Sequence, residues 1–270
     1  MDSIPSIFLL SAGAAVVAVI GFSIVHRFIK PIDLDEHRGF LDAMLSIVGT
    51  LVSILLGLLV AAALEHYQVL EASVDSEAAN VAQVYRLTFG MPPEAQKKIQ
   101  QLCIEYTDQV LTDEWPAMAA GHDSRKVLLT YMRLVTTIAG LQPATNGQTN
   151  IHAALISAVQ QIGDSRRQRI LVLNSTWTKH LMPVLLMCSA IVLAFAYLYV
   201  RRGAVLHGVL ICFVAMALGG NLGLVFLLSH PFSGDWKIQP RGFELNKRAL
   251  EEINRSGLFG TAKNEPALAK

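Results

Sequence analysis

Apolar residues gather in four uninterrupted blocks: Ile7 to Val25, Ala43 to Leu64, Leu181 to Val200 and Val205 to Leu228. None of the blocks contains Lys, Arg, Asp or Glu. A bilayer core takes about 20 helical residues at roughly 1.5 Å each, so each block is long enough for one crossing. A buried core helix of a soluble protein would be shorter and would carry polar residues on a solvent face. The pattern predicts an all-α integral membrane protein with four transmembrane helices, a helical soluble insert from Glu65 to His180 between spans two and three, and a polar C-terminal tail over 229–270.

The insert carries helical punctuation and no alternating β-branched strands. Pro92 and Pro93 after Gly90 predict a helix start, and Pro116 after Trp115 predicts a helix end, with Gly121 in the following turn. Ser124 is placed to cap Arg125 to Gly140, and Gln142 to Asn150, with Pro143 and Gly147, reads as a loop. A last helix from Ile151 presents Leu155, Val159 and Ile162 on one face and is expected to run into the third span. No Gly or Pro interrupts Leu64 to Thr88, so the second span is expected to continue as the first insert helix.

Composition sharpens this picture. Hydrophobic residues make up 53% of the chain and charged ones 16%, with a mean hydropathy of +0.44, far more apolar than a soluble domain of this length. A signal peptide would carry basic residues ahead of its apolar run; Met1 to Ser6 has none and His26, Arg27 and Lys30 follow the run, so the first block reads as an anchor. The net charge of +1 offers no electrostatic basis for nucleic acid as a partner. Cys103, Cys188 and Cys212 form no spaced pair, so neither a disulfide framework nor a metal site is expected. No phosphate-cradling Gly loop, nucleophile elbow or His-Glu-x-x-His is present, and His26, His66, His122, His152 and His180 are scattered, so no enzyme and no cofactor is expected.

Small residues recur every fourth position of the second span at Gly49, Ser53, Gly57 and Ala61, a stripe that lets another helix backbone approach, within the chain or between subunits. The fourth span has a similar stripe at Ala215, Gly219 and Gly223, with Asn221 beside it. In the insert, Glu77 and Asn80 share a helix face, and together with Tyr85, Arg86, Tyr106, Glu114 and Trp115 they supply either a polar vestibule lining or ion pairs inside a bundle. Arg166, Arg167 and Arg169 read as a solvated or lipid-phosphate-facing group, or as an anion-attracting one.

Five ordered pieces carry a family resemblance: Glu77-Ala78 with Tyr85-Arg86-Leu87; Tyr106; Asp113-Glu114-Trp115-Pro116; Asp164 with Arg166, Arg167 and Arg169; and Pro231-Phe232-Ser233-Gly234 with Pro240. Over about Ala43 to Phe243 the chain resembles the bestrophin-like family of bacterial membrane proteins, distantly similar to bestrophins, which are pentameric anion channels. The resemblance implies a homo-oligomer in the inner membrane of a bacterium, lipid as its surroundings and small anions as its cargo. Ser53 to Val60 resembles the Ser-x-x-Leu-Gly-x-x-Val stretch of the bestrophin pore helix, which implies a pore neck at Thr50, Ile54 and Leu58. Aliphatic residues and a Thr stand where animal bestrophins have aromatics, and only Asp235 and Glu244 lie where a calcium-binding acidic cluster would be, so calcium gating is not implied. A membrane-anchored scaffold that binds a partner through the insert is the reading from another class.

With both termini and the insert cytoplasmic, eight basic residues near the spans lie inside (Arg166, Arg167, Arg169, Lys179, Lys237, Arg241, Lys247 and Arg248). Five lie outside (Arg27, Lys30, Arg38, Arg201 and Arg202). The asymmetry favours a cytoplasmic insert. A cysteine placed at Asn146 is therefore expected to resist a membrane-impermeant maleimide in intact cells and to react after the cells are opened; ready labelling of intact cells would reverse the orientation.

Overall fold

The computed structural model describes residues 4–28, 38–173, 177–198, 204–234 and 236–256. Among the described residues there are helices and turns and no strand. Helix α1 spans Ile4–Phe28 and α2 spans Arg38–Leu87, closed by a 3₁₀ turn at Thr88–Gly90. Then come α3 (Pro93–Gln109), a π-helical turn (Val110–Glu114), α4 (Trp115–Ala119), α5 (Arg125–Ala139) and α6 (Asn146–Leu173). Helices α7 (Trp177–Leu198), α8 (Ala204–Leu228) and α9 (Arg241–Ser256) follow. They form two compact units, one of residues 1–68 and 175–237, the other of 69–174 and 238–270.

Among the described residues, three helices are long and apolar enough to cross a membrane, over Ile7–Val25, Asp42–Gly90 and Val205–Leu228. The fourth apolar stretch, Leu181–Tyr197, is shorter at 17 residues, about 25 Å of helix against a hydrocarbon core of about 30 Å. The continuity expected from the second span into the insert is present, since α2 is one helix of 50 residues.

Small residues set the packing of α1 on α8. An added Cβ on Gly219 would collide with the Ala14 Cβ, and one on Gly223 would meet Leu10 Cδ1 at 3.1 Å. Ala215 is buried in the same seam with Ala18, Phe22 and Ile211. The Tyr197 hydroxyl donates to the Ala18 carbonyl at 2.8 Å, so α7 is also tied to α1. A second apolar cluster joins α2, α7 and α8 through Val52, Leu56, Leu185, Val192 and Val225. The apolar surface facing outward is much larger than either cluster: only 17% of the most apolar window of α2 is buried.

In the second unit, the Pro92–Pro93 start, the turn at Gly121 (φ 87°) and the buried face of Leu155, Val159 and Ile162 stand as expected. Two boundaries differ. Pro116 does not end a helix; the preceding turn widens so that the Trp115 N–H bonds to the Val110 carbonyl, and the helix continues through Pro116 to Ala119. A widened turn absorbs the missing proline donor by shifting the hydrogen-bond register. The loop expected to last until Asn150 ends at Thr145, because Thr145 Oγ1 accepts from the Gln148 N–H at 3.2 Å while Gln148 Oε1 accepts from the Ala144 N–H at 2.9 Å. That reciprocal cap starts α6 a turn early. Ser124 does stand at the N-cap of α5, though its side chain makes no capping bond. The expected junction of the last insert helix with the third span lies outside the described residues.

The region read as a polar tail contains α9, whose inner face buries Phe243 and Leu250 against α3 and the π-helical turn. Gly242 comes close enough to α2 that a Cβ there would lie 2.9 Å from the Ala78 Cβ. The Asn246 amide donates to the Ala78 carbonyl at 2.6 Å.

The α1–α8 seam gives a direct test. Gly219→Ala forces apart two helices already in contact and is expected to cost about 1–3 kcal/mol, read as a lower midpoint of thermal unfolding in detergent. Gly57→Ala, whose added Cβ has no described atom within 4 Å, should not lower the midpoint and, through helix propensity, should raise it slightly.

Candidate functional site

Two sets of residues singled out by the sequence can be located, one in each unit. The first is the outer face of α2. Thr50, Ile54 and Leu58 are all exposed, with Ile54 at 56% and Leu58 at 65%. Their i, i+4, i+8 spacing puts them on neighbouring turns of one face. The small-residue stripe runs beside them: Gly49 is half-buried, and Ser53, Gly57 and Ala61 are exposed. No described atom lies within 4 Å of a Cβ built on Gly49 or Gly57, so the helix this stripe would pack against is not among those described in the chain. The stripe on α8 is the opposite case, filled by α1 as described above.

The second set is a buried cluster of charge in the second unit. Glu77 comes from α2, Tyr106 from α3, Glu114 from the π-helical turn, Trp115 and Met118 from α4, and Arg166 and Arg169 from α6. The side chains of Glu77, Glu114 and Arg169 are fully buried and that of Arg166 nearly so. Arg169 Nε donates to Glu77 Oε2 at 3.0 Å and its Nη2 to Glu77 Oε1 at 2.8 Å, a forked pair. The same Nη2 donates to Glu114 Oε2 at 2.9 Å, Nη1 lies 2.9 Å from Met118 Sδ, and the guanidinium carbon sits 5.3 Å from the centre of the Trp115 ring. Glu114 Oε1 accepts from Arg166 Nη2 at 2.5 Å. The Tyr106 hydroxyl donates to Glu77 Oε1 at 2.6 Å. Two guanidinium groups thus meet two carboxylates, and the charge balances without solvent.

Burial and the local field act on the titrating groups in opposite senses. Burial alone would lower the Arg169 guanidinium, but Glu77 and Glu114 beside it more than offset that and hold it above its ordinary range. Tyr106 is held well above the usual tyrosine range, chiefly by burial and then by the Glu77 charge. Tyr85 and Tyr131 are raised too, again mainly by burial.

The structure therefore answers the alternatives left open for the polar residues. Glu77, Tyr106, Glu114, Trp115, Arg166 and Arg169 come together as internal pairs. Arg166 and Arg169 are neither solvated nor lipid-facing, because their partners lie inside the bundle; Arg167 between them is exposed. Asn80 is buried away from these pairs, donating to the Ser76 carbonyl at 2.8 Å. Tyr85 packs edge-on against Phe89, with ring centres 5.9 Å apart, and Arg86 is exposed. The sequence reading missed Met118 and Ile238, whose carbonyl accepts from Trp115 Nε1 at 3.3 Å. Met118 stands one turn beyond Glu114, a spacing that would have placed it on the same face; Ile238 gave no local signal. Among the described residues no three His, Cys, Asp or Glu side chains come together as a ligand set.

Comparison with known proteins places this architecture. The model of the Bestrophin-like domain matches residues 12–243. Crystal structures of two variants of a bacterial bestrophin homologue from Klebsiella pneumoniae are similar in fold. One has a TM-score of 0.64 at 12% identity, over 96% of this chain and 98% of the other. The second has a TM-score of 0.63 at 11% identity, over 91% and 98%. The crystal structure of a variant described as a membrane protein gives 0.62 at 12% identity, over 95% and 100%. No curated protein is similar enough to count as a match.

Breaking the cluster should be costly. Arg169→Met leaves two buried carboxylates short of donors and is expected to destabilise by about 3–5 kcal/mol, and Glu77→Gln combined with it by less than the sum of the two. Urea unfolding in detergent, followed by tryptophan fluorescence, measures both. The raised Tyr106 fixes the sign of an alkaline effect: folded protein keeps a proton that the unfolded chain releases near pH 10, so the stabilisation is complete below that pH and is lost as pH rises above it. Tyr106→Phe should flatten that fall, with Tyr85 and Tyr131 keeping the remainder.

Proposed function

The chain belongs to the bestrophin-like family, and from that premise we propose that it assembles into a homo-oligomer in which the second helix of each copy lines an ion-conducting pore. The observation that carries this reading is the outer face of α2. Thr50, Ile54 and Leu58 are left uncovered by the chain's own helices, beside a small-residue stripe that has no described neighbour. A helix that buries so little of its apolar surface in its own chain has the form of one completed by symmetry-related copies.

In this reading the chain crosses the inner membrane of a bacterium four times. Leu181–Tyr197 makes the shorter crossing, and the insert and both termini lie in the cytoplasm. Ile54 and Leu58 form a neck whose apolar walls oppose ion entry by dewetting, and Thr50 gives its outer end a hydroxyl. The role is conduction rather than catalysis. Bestrophins are anion channels, so the family likeness brings anions as the expected cargo, but the charges on the lining itself decide the sign of the ion. Arg166 and Arg169 do not supply positive charge to a pore mouth, because both are internally paired.

The test is flux through reconstituted liposomes. Ile54→Ala with Leu58→Ala widens and wets the neck, so flux should rise above wild type and discrimination between ions should loosen. Gly57→Leu should lower the assembled mass seen by native mass spectrometry, at a cost on the order of 1–3 kcal/mol per contact. A folded, oligomeric preparation in which neither wild type nor double variant passes any ion would instead assign the chain to a membrane-anchored scaffold.

A further inference from the structure

A polar groove of about 300 Å³ lies between α3 and α5 in the second unit and shares no residue with the buried cluster around Arg169. It carries Lys98, Gln101 and Glu105 from α3 and Arg133, Thr136 and Thr137 from α5. Spacings of three, four and seven put each set on one face of its helix. The helices run antiparallel there, because Thr130 Oγ1 donates to Gln109 Oε1 at 2.7 Å and Arg133 Nη1 donates to Glu105 Oε1 at 3.2 Å. Glu105 Oε1 also accepts from the Gln109 amide at 2.9 Å, so its acceptor capacity is largely used. The donors are not. Arg133 is exposed and reaches Glu105 with Nη1 alone, which leaves its Nε and Nη2 without a described partner. Among the described residues no carboxylate pairs with Lys98, and the side chains of Gln101 and Thr137 make no hydrogen bond.

We infer that this groove binds a small organic anion through its carboxylate or phosphate head. Lys98 and Arg133 bring two positive charges against the single negative charge of Glu105, and the unused valences of both are donors. Charge-assisted bonds from ammonium and guanidinium groups to an oxyanion are the strong kind. The Arg133–Glu105 pair faces solvent and contributes little by itself, so the guanidinium can swing to a ligand at small cost while Gln109 keeps Glu105 in place. Gln101 and Thr137 offer an amide and a hydroxyl to the polar body of the ligand, and the volume is at the small end of the range for ligand pockets. Occupancy ties α3 to α5, so a bound ligand stabilises the second unit by mass action. Binding here is independent of whether the chain conducts.

Titration calorimetry of the full-length protein in detergent tests the site with two probes added separately, inorganic phosphate and succinate. A saturating heat at one probe per chain is expected from at least one of them, and the probe that binds more tightly tells a phosphate head from a carboxylate one. Lys98→Met and Arg133→Met each keep an aliphatic stem and remove a charge, and each should weaken that binding on the order of tenfold. Glu105→Gln frees Arg133 and removes the like charge, so it should strengthen binding. Lys97→Met removes an exposed charge that does not line the groove and should keep the wild-type affinity. Unfolding midpoints measured without probe confirm that the variants are folded, and the wild-type midpoint should rise as the bound probe is raised. No saturable heat from either probe at millimolar concentration overturns the site. So does an equal loss of affinity in Lys97→Met, which marks diffuse surface attraction, or a loss of binding in a folded Glu105→Gln, which marks a cationic ligand.

Discussion

A guanidinium with no access to water has to find all its partners in protein, and Arg169 constrains the second unit accordingly. Its fork fixes the rotation of α6 relative to α2 through Glu77, and its third donor fixes the wide turn that carries Glu114. The remaining face lies over the Trp115 ring, and that indole is held by the Ile238 carbonyl. Each bond is worth little net of desolvation, but the loss of any one strands a buried charge. Such a network contributes more to the uniqueness of the packing than to its depth.

The two units handle polarity in opposite ways. In the first, helices meet through glycine and alanine and turn their large aliphatic side chains outward, as along the α1–α8 seam. In the second, aliphatic side chains such as Leu155, Val159 and Ile162 turn inward and share the interior with paired charges. Helix α2 takes part in both patterns, uncovered at Ile54 and Leu58 and fully buried at Glu77.

Runs of apolar residues announce themselves, which is why the long helices and the inward stripe of α6 were legible in the sequence. Stop signals were less so. Pro116 looked terminal because a proline removes a donor, yet a helix can widen by one residue and continue; and the Thr145–Gln148 cap was hidden behind Pro143 and Gly147. The polar residues were recognised as a set, but not which of them pair. Glu77 and Arg169 are 92 positions apart in the chain, and nothing local says that these two meet while Arg86 and Arg167 stay in solvent. The stripes at Gly57 and Gly219 looked alike as well; only the presence of α1 beside one of them separates them.

The bundle around Arg169 is discontinuous in the chain, and that imposes an order on biosynthesis. Trp115 and its acceptor at Ile238 are separated by 123 positions, and α9 follows all of the apolar helices. At ribosomal speeds of about 5–20 residues per second, the first helices of the bundle are made on the order of ten seconds before the last piece that closes over Trp115. During that interval the pocket for Phe243 stands open and the nascent domain is a natural client for holding chaperones.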